Sequence, residues 1–176
     1  MRSLDVPQAN DLNTVRAVLQ ALQSGCVLEV EVRAHTDFSA RHTNYRLHAA
    51  RVLGLLRFEE DHLALTTLGE RLLETPPRSQ REREVLFEAV QGSPVLQILA
   101  PDLLSRDPPR LEALADRLFE EGRVGRATAE RRARGLLTWR RRILGPDPAP
   151  TPAEAAVDVE AEPEPAQPTV QLDLFG

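Results

Sequence analysis

Four polar side chains recur at helical spacing between residues 41 and 51, and no acidic residue lies among them. They are Arg41, Asn44, His48 and Arg51. At about 100° per residue they fall on one side of a helix, within a quarter-turn. Arginine and asparagine form bidentate hydrogen bonds with the edges of guanine and adenine, so this pattern indicates contact with DNA bases. An ordinary solvated helix surface is the alternative interpretation.

A second stretch, residues 123–142, carries eight arginines and one acidic residue, Glu130. In helical phase Arg131, Arg134, Arg141 and Arg142 share one face, which predicts binding to phosphate. Three further arginines near the first face are expected to contact the DNA backbone. These are Arg33, Arg46 and Arg57.

The composition excludes several classes of enzyme. All 22 basic residues are arginine, so the chain has no lysine for a P-loop, a Schiff base or the common lysine-containing nuclease site. No nucleophile–base–acid set and no glycine-rich phosphate loop is present, and we expect no catalytic residue and no cofactor. Cys26 stands alone, which excludes an intramolecular disulfide, and the four histidines lack metal-ligand spacing, so no metal is expected.

Charge divides the chain into two regions. Residues 1–145 hold 22 arginines and 20 acids, a balance of +2, whereas residues 146–176 hold seven acids and no base. Seven of the 14 prolines also lie after residue 145. We therefore predict a weakly basic globular body and an acidic, proline-rich, disordered linker over residues 146–170. No segment is long and apolar enough to predict a membrane span.

Hydrophobic periodicity predicts a mainly helical body. A first helix is expected from Asp11 or Asn13 to about Gln23, and residues 27–32 fit either a short strand or a second helix. Ser39 is expected to cap a helix that runs to about Leu53 and buries Tyr45, Ala49 and Val52. A hairpin over residues 55–65 and another helix follow. After the Pro76-Pro77 break, helices are expected at 81–99, at 110–122 and from 129, capped by Thr128, to 144.

This order resembles a winged helix, a variant of the helix-turn-helix. Residues 49–56 (AARVLGLL) and 65–69 (LTTLG) are similar to the A-x-x-L-G-L and L-T-x-x-G segments that flank the wing in that family. Residues 128–139 resemble the closing segment of winged-helix proteins associated with restriction-modification systems. The expected fold is mainly α with one short β-hairpin wing, a winged helix at 1–75 and a second helix-turn-helix unit at 76–145.

The last residues carry a separate motif. Residues 171–175 read Gln-Leu-Asp-Leu-Phe and match, at every position, the peptide by which bacterial replication and repair proteins bind the sliding clamp. The resemblance implies that Gln171 enters a polar subsite and that Leu174 and Phe175 fill a hydrophobic pocket. Leu172 and Asp173 would set the turn and the flanking contacts. An incidental apolar terminus is the alternative.

Together these patterns lead to one hypothesis and a competing one. The first is a non-enzymatic, cytoplasmic and nucleoid-associated DNA-binding adaptor, recruited to the sliding clamp, the β subunit of the replicative polymerase, for replication or repair. The second is a winged-helix transcriptional or restriction-modification-associated regulator with an incidental tail. A nuclease with a lysine-free site is a more remote third possibility.

Overall fold

The computed structural model describes residues 6–145, and within that range the chain forms eight helices and one antiparallel β-hairpin. The mainly helical prediction is therefore confirmed. The elements in chain order are α1 Leu12–Gln23, α2 Glu29–Thr36, α3 Ala40–Val52, β1 Leu56–Glu59, β2 His62–Leu65, α4 Thr67–Glu74, α5 Gln80–Gly92, α6 Pro94–Leu99, α7 Leu111–Glu120 and α8 Arg126–Leu144.

The first three helices and the hairpin follow the winged-helix order. The Asp11 carboxylate caps α1 by accepting from the amide of Asn13 at 2.8 Å. The ambiguous segment is a helix, because the Glu31 carboxylate accepts from the amides of Val27 and Leu28 and so starts α2. Val27 still contacts the sheet, since its carbonyl accepts from the amide of Leu63 in β2 at 2.8 Å.

Helix α3 begins where the sequence predicts but buries a different face. Ser39 caps it through the amide of His42, and Leu53 and Gly54 end it, with Gly54 at a φ of +67° that suits glycine. Thr43 and Leu47 are fully or almost fully buried, whereas Tyr45 is only half-buried. The prediction that Tyr45 is buried with Ala49 and Val52 is therefore wrong for Tyr45. The helix is rotated so that Tyr45 lies at the border of the core.

All the regular elements in the second half of the described chain are helices. Pro94 at the first turn of α6 separates it from α5, as the pause at residues 92–94 predicts. Helices α7 and α8 are joined by a short turn that contains Gly122 and Gly125. Helix α8 starts at Arg126 with Gly125 as its cap, one turn earlier than the predicted cap Thr128, so Thr128 lies inside the helix.

The buried side chains form one cluster from Val6 to Ile143, across the predicted boundary at residue 75. The indole Nε1 of Trp139 in α8 donates to the carbonyl of Ala9 at 2.9 Å, and Trp139 is 1% exposed. The buried carboxylate of Glu82 in α5 accepts from Arg16 of α1 at 2.9 Å and pairs with Arg142 of α8. The two predicted units therefore share a core. The predicted linker and clamp-binding peptide lie outside the described residues.

Candidate nucleic-acid interface

The structure places the four predicted base-reading side chains of α3 on its outer side. Arg41, Asn44 and Arg51 are exposed and His48 is half-buried at the edge. We call these four residues the α3 face. Helix α3 contains three arginines and no acidic residue, so this face lies on an element of uniform charge sign. It begins at the capped N-terminus of α3, the end from which recognition helices reach bases.

Two aromatic rings hold arginines at the sides of α3. The Nε of Arg41 donates to the hydroxyl of Tyr45 at 2.5 Å, and its guanidinium lies 5.4 Å from the centre of that ring. Arg46 stacks 4.5 Å from the ring centre of Phe38 and donates to the carbonyl of His42 at 3.1 Å. Stacking leaves the charge in place and reduces the rotamer freedom that a phosphate contact would have to restrict.

The basic surface of α8 is smaller than its sequence suggests. Three arginines are exposed on one side, over about 15 Å of helix, and we call them the α8 face. They are Arg131, Arg134 and Arg141. Arg134 lies 3.8 Å from Glu130 and remains 63% exposed, and Arg141 donates to Thr138 at 3.2 Å.

Arg142 does not belong to this face. Its guanidinium pairs with the carboxylate of Glu82, which is 3% exposed, and the Arg142 side chain is itself 13% exposed. Its predicted role in DNA binding is therefore corrected to a structural one. Helical phase places Arg142 at the border of the apolar side of α8, where α5 packs and supplies the buried carboxylate.

Three other arginines of α8 lie outside this face, and two of them form contacts with neighbouring residues. Arg126 pairs with Asp116 and stacks 4.7 Å from the ring centre of Phe119. Arg140 donates to the carbonyls of Leu103 and Ser105 at 2.9 and 2.8 Å. The third, Arg132, is buried.

Burial shifts the pKa of one arginine of α8. Burial lowers the pKa of Arg132, repulsion from Arg131 lowers it further, and Tyr45 acts in the opposite direction. The hydroxyl of Tyr45 itself accepts from Arg41 within α3. The sequence analysis expected Tyr45 in the core and did not identify it as a partner of Arg41, although a spacing of four residues places the two side chains on one side of α3.

The hairpin has the opposite charge. Arg57 donates to a single oxygen of Glu59 through Nε at 2.8 Å and Nη2 at 2.5 Å, and to the carbonyl of Leu65 at 3.2 Å. The turn between the strands adds Glu60 and Asp61, both exposed. Because Arg57 is paired with Glu59 and two more acids lie in the adjacent turn, the charge of the hairpin disfavours the predicted phosphate contact of Arg57.

Other predicted features bear on partners. The clamp-binding residues 171–175 lie outside the described residues. Within residues 6–145, no group of three His, Cys, Asp or Glu side chains is arranged to hold a metal ion. None of the helices in this range has the length and apolar character needed to cross a bilayer.

The described chain is thus a mainly helical protein with a winged-helix-like N-terminal half and two basic helix faces. It belongs to the family described as "Domain of unknown function (DUF7226)", which matches residues 14–146. The match covers nearly all of the described helices and ends where the acidic segment begins. Neither a curated protein nor a solved structure gives a significant match.

Proposed function

We propose that this protein is a non-enzymatic DNA-binding adaptor that its C-terminal peptide recruits to the bacterial sliding clamp during replication or repair. The observation that carries the DNA-binding part is the exposure of two basic helix faces: α3 holds three arginines and no acidic residue, and three arginines lie exposed on one side of α8. The α3 face offers base-reading side chains, such as Asn44 and Arg51, and the α8 face offers arginines for phosphates. The acidic hairpin points to DNA contact through the helices rather than through the wing.

Clamp recruitment is supported by residues 171–175 and by their position in the chain. A short peptide with three apolar side chains that follows an acidic, proline-rich segment has no neighbouring sequence with which to form a core. Such peptides bind weakly alone, near the micromolar range, because ordering them opposes association. A clamp encircles DNA, so a weak DNA-binding body on the same chain raises the joint affinity through effective concentration.

DNA binding is tested by fluorescence anisotropy with a labelled duplex and single-residue variants. We expect Arg134→Gln to weaken binding severalfold and to reduce the slope of log K against log salt by about 1, since one phosphate contact is lost. Arg71→Gln is the matched control, because it removes the same charge from an arginine already paired with Glu88 at 2.7 Å. Equal effects of the two changes would show that net charge, and not the α8 face, governs binding.

Clamp binding is tested with the full chain and with a peptide of residues 171–176. Micromolar binding to a bacterial sliding clamp, lost in a Leu174→Ala/Phe175→Ala double variant, is the expected result. Absence of binding up to about millimolar concentrations would overturn the recruitment proposal. This outcome would not affect the DNA-binding experiment, so clamp recruitment and DNA binding are tested independently.

A site-specific regulator is the second candidate, favoured by the presence of Asn44 and Arg51 on the α3 face. The two functions differ in specificity ratio. An adaptor should bind unrelated duplexes within a few fold of one another, whereas a regulator should prefer one site by about a thousandfold or more. Selection from a random duplex library measures this ratio. Removal of residues 171–176 should leave a regulator's site preference intact.

A further inference from the structure

We propose that the acidic segment 146–164 of this chain occupies the α8 face and competes there with DNA. The competition with DNA rests on the proposed function, whereas the occupancy of the arginines by the segment does not depend on it. The competing groups are carboxylates that take the places of DNA phosphates. Capture of residues 171–175 by a clamp would then draw the segment away from the arginines.

Charge complementarity is the first argument. The exposed arginines of the α8 face lie on a helix with a single acid, and α3 has none. Residues 146–164 contain six acids and no base. They are Asp147, Glu154, Asp158, Glu160, Glu162 and Glu164. The hairpin acids, by contrast, would repel the segment, so the α8 face, which lies on the helix that precedes the segment, is the electrostatically favoured location.

Reach is the second argument. Helix α8 ends at Leu144, so the acidic segment is attached to the end of the helix that carries the α8 face. Arg134 and Arg131 lie roughly 15 and 20 Å back along α8 from that point. Nine to nineteen residues separate Gly145 from Glu154 and Glu164, and a random coil of that length would span about 16–24 Å. The span of the chain at the four acids nearest the end of the segment therefore matches the distance from the end of α8 to Arg134 and Arg131.

The size of the effect follows from effective concentration. A short tether keeps its ligand at millimolar local concentration. If the carboxylates bind the arginines with a dissociation constant of about 1 mM, DNA binding falls by about threefold to tenfold. Because the contacts are exposed, the inhibition should fade as the Debye length falls from about 10 Å at 0.1 M salt to about 3 Å at 1 M.

Occupancy is tested without DNA by paramagnetic relaxation enhancement. A nitroxide is attached to Glu160→Cys in a Cys26→Ser background, whose fold is checked by circular dichroism. Amides around Arg131 and Arg134 should lose intensity at low salt and recover at about 1 M salt. Amides of the hairpin turn, at the exposed acids Glu60 and Asp61, serve as the reference surface. Absent broadening, or equal broadening on both surfaces, would overturn the inference.

Competition is tested with a variant in which the six acids become the corresponding amides while residues 171–176 are kept. We expect its affinity for a labelled duplex to exceed that of the natural sequence by about threefold to tenfold at about 0.05 M salt, and the gain to vanish at high salt. The matched control permutes the order of residues 146–170 without changing their composition, and it should bind DNA like the natural sequence. A neutral-tail variant with unchanged affinity would overturn the competition.

The two readouts separate this inference from the proposed function. If no variant binds DNA, neutral tail included, the DNA-binding proposal fails and relaxation enhancement alone decides whether the segment occupies the arginines. If DNA binds and the neutral tail changes nothing, the DNA-binding proposal stands and the inference fails.

Discussion

Glu82 is the residue whose replacement tests the described architecture most directly. Its carboxylate accepts from Arg16 Nη1 at 2.9 Å, from the backbone amide of Arg78 at 2.6 Å, and pairs with Arg142. One buried anion thus joins α1, α5 and α8. A Glu82→Gln variant keeps the shape of the side chain and removes its charge.

The expected loss of stability in Glu82→Gln follows from the two buried charges that remain without their carboxylate. Two guanidinium groups, 8% and 13% exposed, would lose the carboxylate with which both of them pair. Removing one member of a buried ion pair costs about 3–5 kcal/mol, because the remaining charge stays desolvated. For a body of this size we expect Tm to fall by about 10–20 °C. Glu84→Gln, two residues along α5 and exposed, is the control and should change stability by about 0.5 kcal/mol or less.

Urea unfolding measures both the cost and the cooperativity. Far-ultraviolet circular dichroism reports all helices, and fluorescence reports Trp139 in α8, the only tryptophan. The two transitions should coincide, since the halves of the described chain share one core. If Glu82→Gln lowers the free energy of unfolding by less than about 1 kcal/mol, the charge of Glu82 is not what stabilises the two buried arginines, and the reasoning is refuted. Separate transitions would refute the shared core.

Two further changes test local features of the structure. A Cβ at Gly69 would lie 2.0 Å from the carbonyl oxygen of Leu55, so Gly69→Ala should lower the free energy of unfolding by about 1–3 kcal/mol. A Cβ at Gly92 would meet open space, so Gly92→Ala should raise the free energy of unfolding by about 0.5 kcal/mol. Urea midpoints compare the two variants, and the reverse order of stability would contradict the packing. The hydrogen bond from Arg117 lowers the pKa of Asp102, so this carboxylate contributes stability above its ordinary pKa and loses it as pH falls through the lowered value. The Tm difference between the natural protein and Arg117→Gln should therefore shrink towards strongly acidic pH, and a difference that is constant with pH would contradict the assignment.

Local rules explain why the helices were predictable. Caps such as Asp11 and Ser39 accept from amides two or three residues away, so the residues near a helix end are enough to predict where the helix begins. The hairpin was predictable for the same reason, since two short apolar runs enclose a charged turn. The choice between strand and helix at residues 27–32 was not local in this sense. The carbonyl of Val27 bonds to Leu63, which is 36 residues later in the chain, while Glu31 starts a helix beside it.

The candidate interface was predictable only in part. Helical phase correctly placed Arg41, Asn44 and Arg51 on the outside of α3. Phase failed for Arg142, because its partner Glu82 lies 60 residues away along the chain and comes into range only when α5 packs against α8. The charges that surround a side chain are set by tertiary packing, and spacing within one helix does not contain them.

The bond between Trp139 and the carbonyl of Ala9 joins positions 130 residues apart. Gly135 lies against the same segment, close enough that a Cβ there would be 2.5 Å from the Asn10 side chain. The segment before α1 is translated long before α8, which supplies the partners of Ala9 and Asn10, and before Gly122, beside which Val6 lies. The apolar surface of Val6 and Ala9 therefore stays uncovered while most of the described body is translated, and a chain interrupted before α8 keeps it exposed to chaperones and proteases. Completion of α8 covers it, so a late step in the synthesis of the body protects residues made early.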